Sequence, residues 1–306
     1  MASTDQPKPN VFLMVLTGML VALVVIVFAR LAYGLLLPPM RADLGLSYQQ
    51  AGTLGTVTAL GYLLFVLLGG LAASRWGSRM AVAIGLAAVT VGFAGLAAAS
   101  AYPLIVVLMA LLGFGTAFTF APMISLLATW YPERRGLVIG CMSAGIGAGM
   151  FITGLLVPWL YALFGDSGWR VTWGVFAATA GVALLLVLLV VRDPAVEAGS
   201  AARPPSADKW LIYRNPRVLT VATVYGIVGL TYIVQAIFMV SFVIDSGFEE
   251  ATAGWLMAMM GLLSMASGPV WGTLSDAWGR GNALTVAMAL VTVSMALPLL
   301  DQSLPV

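Results

Sequence analysis

Long apolar blocks alternate with short polar ones along this 306-residue chain, and nearly all the charged residues gather in the short ones. A surface helix of a soluble protein would instead carry a polar stripe along one face, with a period near 3.6. The blocks therefore read as membrane-spanning helices, each needing about 20 apolar residues. Nine are predicted, over 11–37, 50–72, 80–98, 103–129, 136–162, 171–191, 219–244, 253–274 and 282–299. Several are long enough to span with some tilt, although length fixes no angle. The first is kept as a helix because its apolar stretch is roughly twice that of a cleaved signal, and only Lys8 precedes it.

Composition agrees with the pattern. Apolar residues make up 61% of the chain and charged ones 8%, against about 25% charged in a soluble domain, which excludes a soluble fold. Histidine is absent, and the single Cys141 falls inside the fifth span, so neither a disulfide framework nor a thiolate metal site is available. With the N-terminus inside, Lys8, Arg75, Arg79, Arg134, Arg135, Arg192, Arg203, Lys209, Arg214, Arg217 and Arg280 fall on one side, and Arg41 and Arg170 on the other. That asymmetry is the positive-inside signal. It predicts a multi-pass protein of a bacterial cytoplasmic (inner) membrane with its N-terminus cytoplasmic. The net charge of +2 is then a topology signal, and no nucleic-acid partner is expected.

The segment RDPAVEAGSAARPPSADKWLIYRNPR is the one long polar stretch and reads as a linker. It divides the chain into an N-terminal six-helix bundle (1–191), a cytoplasmic linker (192–217) and a partial C-terminal bundle (218–306). The loops after spans two and eight are alike: GGLAASRWGSRM aligns with GTLSDAWGRGNA, matching Gly70 with Gly272, Trp76 with Trp278 and Gly77 with Gly279. The offset, 272 minus 70, is 202 residues. Carrying 11–98 forward by it gives 213–300, where spans seven to nine fall.

These paired loops resemble the signature of the major facilitator superfamily, in which Gly, three residues, Asp, Arg, one residue, Gly and Arg join helices two and three, with a weaker echo between helices eight and nine. The first copy keeps Gly70, Arg75, Gly77 and Arg79, with Ser74 at the Asp position. The second keeps Gly272, Asp276, Gly279 and Arg280, with Ala277 in place of Arg. The resemblance implies an all-α membrane fold of two six-helix bundles, with a solute site between them near the bilayer midplane. It also implies a monomer that needs no cofactor or metal. Counterparts of 103–191 do not follow helix nine, so a truncated gene or an incomplete sequence is expected. If the polypeptide ends there, its C-terminus faces outside.

Within that family the proton-driven drug exporters carry an Arg in helix four, where LMALLGFG has Met109, and a Gly-Pro pair that helix five lacks before Pro158. WYPERRGLVIGCMSAGIGAG instead resembles the start of helix five in oxalate/formate and monocarboxylate carriers. RLAYGLLLPPMRADLGLS and YGIVGLTYIVQAIF resemble an uncharacterised bacterial subfamily. Gly136, Gly140, Ala144, Gly145 and Gly149 give helix five a small-residue face, suited to sliding or to static close packing.

Arg30 is the awkward residue, seven positions before Leu37 and so about 10 Å below the outer end of the first span. An intramembrane Arg costs from about 2.5 kcal/mol upward and faces a bundle interior or a water-filled cavity. Two readings are open: snorkelling to the headgroups or a structural ion pair, and a cavity-facing anion site. No Asp or Glu lies inside the nine spans, so a visiting carboxylate, matched by the guanidinium fork, is the expected partner. Tyr33, Tyr62, Tyr225, Tyr232 and Gln235 are candidate companions, and Tyr232 and Gln235 share one helix face. Trp130, Trp159 and Trp169 are expected in interfacial belts. Asp276 is expected near the start of helix five, where a helix N-terminus favours a carboxylate and Arg134 or Arg135 adds an ion pair; Gly70, Arg75, Gly77, Arg79, Gly272, Gly279 and Arg280 complete the expected gating loops.

The expected function is secondary or facilitative transport of a small organic anion such as a monocarboxylate, by alternating access. A coupling ion is left open, since proton relays use Asp, Glu or His and the span interiors offer none. No nucleophile, paired intramembrane carboxylates or phosphate loop with Lys supports an enzyme. The competing readings are a non-transporting or degenerate fragment, or an exporter of other small molecules.

Overall fold

The computed structural model describes residues 10–194, 215–216, 218–227 and 250–300, with side chains in the last segment described over 255–293. Every element among the described residues is a helix. Helix α1 occupies 11–44 in three stretches: α-helical Val11–Ala22, π-helical Leu23–Leu31 and α-helical Tyr33–Leu44. It is followed by α2 (Tyr48–Trp76), α3 (Ser78–Ala98), α4 (Tyr102–Trp130), α5 (Arg135–Phe164) and α6 (Gly168–Val190). The described part of α7 is Val218–Ile227, and α8 (Glu250–Trp278) and α9 (Arg280–Leu300) complete the order.

Over the described residues the predicted spans match these helices to within a residue or a few at each end, apart from the first. Helix α1 runs past Leu37 to Leu44, with Pro38 and Pro39 inside it. A proline pair reads in sequence as a stop, yet the helix continues to Gly45, whose φ of 62° closes it while the Leu46 N–H bonds the Arg41 carbonyl at 3.1 Å. Helix α2 begins at a capping box: Ser47 Oγ accepts from the Gln50 N–H, and Gln50 Oε1 accepts from the Ser47 N–H. Residues 228–244 of the predicted seventh span lie outside the described residues.

Between helices in lipid no hydrophobic drive exists, so close backbone approach through small residues carries much of the packing. A Cβ on Gly61 of α2 would lie 2.7 Å from the Ala110 carbonyl of α4, and one on Gly69 would lie 2.6 Å from that of Ala117. A Cβ on Gly85 of α3 would lie 2.6 Å from the Gly115 carbonyl. Helix α1 lies against α5, α3 against α4 and α6, and α5 against α8 along most of its length. Phe28, Phe93, Trp173 and Phe176 cluster where α1, α3 and α6 meet, with Phe28 and Phe176 stacked at 3.8 Å. The outer face of α2, with Leu60, Leu63, Leu64, Leu67 and Leu71 exposed, suits contact with lipid.

Polar contacts define the two ends. At one, Asp43 pairs with Arg170 at 3.4 Å, and the Arg170 guanidinium also donates to the Ala99 carbonyl at 2.8 Å. Trp169, expected in an interfacial belt, is instead fully buried and donates its indole N–H to Asp43 at 3.2 Å. An aromatic near a span end suits either position, and here the ion pair draws it inward. Trp159 is exposed. At the opposite, basic end, Trp130 donates to the Arg192 carbonyl at 2.8 Å, and Asp193 accepts from the Arg79 N–H at 2.9 Å.

Candidate functional site

Arg30 stands in the last turn of the π-helical stretch of α1. Val24, Val25, Ile26 and Val27 form a β-branched run, which lowers α-helical preference. The longer hydrogen-bond ring is visible at the end of the stretch, where the Ala32 N–H donates to the Val27 carbonyl five residues back, at 2.8 Å. Such turns recur at functional sites. Room for the wider turn comes from α5: a Cβ on Gly149 would lie 2.7 Å from Val27 Cγ2 and 3.0 Å from Leu23 Cγ.

The Arg30 side chain is half-buried, and its guanidinium lies over the Tyr62 ring of α2, 4.9 Å from the centroid. The face of an aromatic ring attracts a cation but leaves the charge uncompensated. Among the described residues the one ion pair is Asp43 with Arg170, so no carboxylate neutralises Arg30. Tyr33 also faces α2, but its hydroxyl is committed, donating to the buried Ala51 carbonyl at 2.8 Å. Arg30 and Tyr62 are thus brought together, while Tyr33 ties α1 to α2 beside them. Tyr232 and Gln235 lie outside the described residues.

A second cluster forms at the basic end, around a cavity of about 570 Å³ between α5, α7 and α8. That volume is ordinary for a small-molecule site. Arg135, Ser143, Tyr225, Trp271, Ser275 and Arg280 are among its lining residues, and Arg30 is not. Beside it, Asp276 at the end of α8 accepts the Gly136 N–H at 3.2 Å and the Leu137 N–H at 3.1 Å, the first free amides of α5. The expected meeting of Asp276 with the start of α5 is therefore seen, but without the added ion pair: Arg134 and Arg135 are exposed, and neither pairs with Asp276. Two backbone N–H hydrogen bonds to the charged carboxylate and the helix dipole hold it by themselves. Gly136 is required there, since its Cβ would lie 2.5 Å from both Asp276 Oδ1 and the Gly272 carbonyl.

The other repeated loop is built differently. Gly77 turns α2 into α3 with φ 89°, as Gly279 turns α8 into α9 with φ 86°. Arg79 donates its N–H to Asp193 and its guanidinium to the Leu188 carbonyl at 2.5 Å, which fastens the loop to the end of α6. Arg75 and Gly70 are exposed, and a Cβ on Gly70 would meet nothing within 4 Å. Sequence reasoning missed Asp193, which read as the first acid of the linker. It also missed two buried hydroxyls: Thr116 of α4, which reaches the Val25 carbonyl at 3.0 Å, and Thr153 of α5, which has no hydrogen-bond partner among the described residues.

Residues 19–301 match the family profile described as Major Facilitator Superfamily. Human Monocarboxylate transporter 11 is 30% identical over 216 residues, covering 68% of this chain and 44% of that protein. The Oxalate:formate antiporter of Oxalobacter formigenes is 22% identical over 263 residues, covering 85% of this chain and 62% of that protein. The chain thus spans roughly half the length of these two carriers. The crystal structure of a D-xylose-proton symporter superposes on 93% of this chain and 74% of its own, with a TM-score of 0.61 at 17% identity, a likeness of fold.

Proposed function

This chain belongs to the major facilitator superfamily, and from that premise we propose that it carries a small organic anion, such as a monocarboxylate, across a bacterial cytoplasmic membrane by alternating access. The observation that supports the sign of the solute is the half-buried Arg30 guanidinium, which rests on the Tyr62 ring and pairs with no carboxylate among the described residues. A charge held that way keeps most of its desolvation cost until an anion docks, and the donor fork matches a carboxylate in two parallel bonds. Two relatives whose names refer to monocarboxylates, oxalate and formate support the same class.

In this reading the protein acts as a monomer with its N-terminus and its basic end in the cytoplasm. The bundle of 1–191 and the partial bundle of 218–306, joined by the 192–217 linker, rock against each other along α5 and α8. The cavity lined by Tyr225, Arg135 and Arg280 is the cytoplasmic mouth, and Gly70, Arg75, Gly77, Arg79, Gly272, Asp276, Gly279 and Arg280 form the loops that close it. Proteoliposomes carrying the protein should take up radiolabelled lactate, formate or oxalate above the rate for glucose or alanine. Equal uptake of neutral and anionic solutes would overturn the class.

Asp276 docked on α5 is the closed state of that gate. Losing the charge weakens its hold on the helix terminus by about 0.3 to 1 kcal/mol, a roughly two- to fivefold gain in the open population. In a Cys141→Ala background, a cysteine at Ser143 should be labelled from the cytoplasmic side that much faster in Asp276→Asn. An unchanged rate would count against the gate.

A further inference from the structure

We infer that Thr116 of α4 is a positioning residue for Arg30: its hydroxyl holds the π turn that sets where the guanidinium stands, and so tunes the affinity for the anion. Thr116 is fully buried, and its Oγ1 lies 3.0 Å from the Val25 carbonyl of α1 and 2.9 Å from the Leu112 carbonyl of its own helix. Apart from Thr153, which has no partner among the described residues, the other threonines with described side chains bond carbonyls three or four residues back, as Thr119 does with Gly115 and Thr172 with Gly168. Thr116 is the one that also reaches a different helix.

The carbonyl it reaches is the one that governs Arg30. In the five-residue register of Leu23–Leu31, the Val25 carbonyl belongs to the N–H of Arg30. A carbonyl has two lone pairs, so Val25 has room for the Arg30 amide and the Thr116 hydroxyl together, the one hydroxyl proton being shared between the Val25 and Leu112 carbonyls. Without the second donor, nothing from α4 favours the wide turn over the four-residue ring of an ordinary helix. Tightening by one residue would turn Arg30 about 100° round the α1 axis, off the Tyr62 ring. Gly149 supplies room for the wide turn but no bond that selects it; Thr116 supplies the bond.

The inference rests on Arg30 as the anion site, and two readouts separate the claims. In the Cys141→Ala, Arg30→Cys protein, modification of the cysteine by a methanethiosulfonate reagent reports where position 30 faces, whatever the solute. Thr116→Val, nearly isosteric, should change that rate about fivefold or more, and Thr116→Ser, which keeps the hydroxyl, should stay within about twofold. In the Arg30 protein, Thr116→Val should raise the KM for lactate, formate or oxalate uptake about tenfold with Vmax little changed, and Thr116→Ser should restore it. Equal labelling in all three proteins overturns the inference. So does an unchanged KM in Thr116→Val when Arg30→Gln lowers uptake about tenfold or more. If Arg30→Gln leaves uptake intact, the anion site is lost, and with it the tuning claim, while the labelling rates still decide whether Thr116 sets position 30.

Discussion

Replacing Arg30 with Gln is expected to lower carboxylate uptake by about 10- to 100-fold while leaving as much protein in the membrane as before. Hydrogen bonds to a charged group contribute about 1.5 to 3 kcal/mol each, and each 1.4 kcal/mol is a factor of ten. The loss should be in uptake alone, because removing a charge from a span lowers the cost of inserting it. Helix α1 would keep its bond from Tyr33 to Ala51 and its contact with α5. Arg30→Lys should fall between the two, retaining the charge but not the fork. Uptake assayed in proteoliposomes at matched protein density reads all three. Full activity in the Gln variant would remove the ground for an anionic solute.

Widening Gly140 to Val should damage the architecture severely. Helices α5 and α8 meet backbone to backbone at three levels: Gly136 with Gly272, Gly140 with Gly268, and Gly147 with Gly261. A Cβ on Gly140 would lie 2.7 Å from the Gly268 carbonyl carbon and 3.2 Å from the Pro269 nitrogen. Neither is a side chain that can swing away, so the helices must part. Overpacking of this kind costs about 1 to 3 kcal/mol or more, and it falls on the contact along which the two bundles are proposed to rock. Gly140→Val should therefore lower the melting temperature of the purified protein and abolish uptake. Gly174→Val is the control, since a Cβ there meets nothing within 4 Å. Equal melting temperatures would mean that the tight contact has no energetic weight.

How much of this is legible in the residues alone depends on how far a property reaches along the chain. The spans were readable because hydropathy is summed over about 20 positions, and the Asp276 contact with α5 because the family resemblance puts the end of helix eight near the start of helix five. Asp193 was not, since its partner is a backbone N–H 114 residues away and no motif marks it. The π turn was invisible for a different reason: VVIVFARL is compatible with either ring size, and the choice lies in a hydroxyl from α4. Tyr33 and Tyr62 could not be told apart, being similar aromatics near one charge. The Ala51 carbonyl separates them by engaging Tyr33 and leaving Tyr62 to Arg30.

The chain is pinned twice just before Pro194, by the Arg192 carbonyl on Trp130 and by the Asp193 carboxylate on Arg79. Those two contacts stitch the segment that follows α6 to the ends of α3 and α4, so 192–193 cannot peel away without breaking a bond to each of those helices.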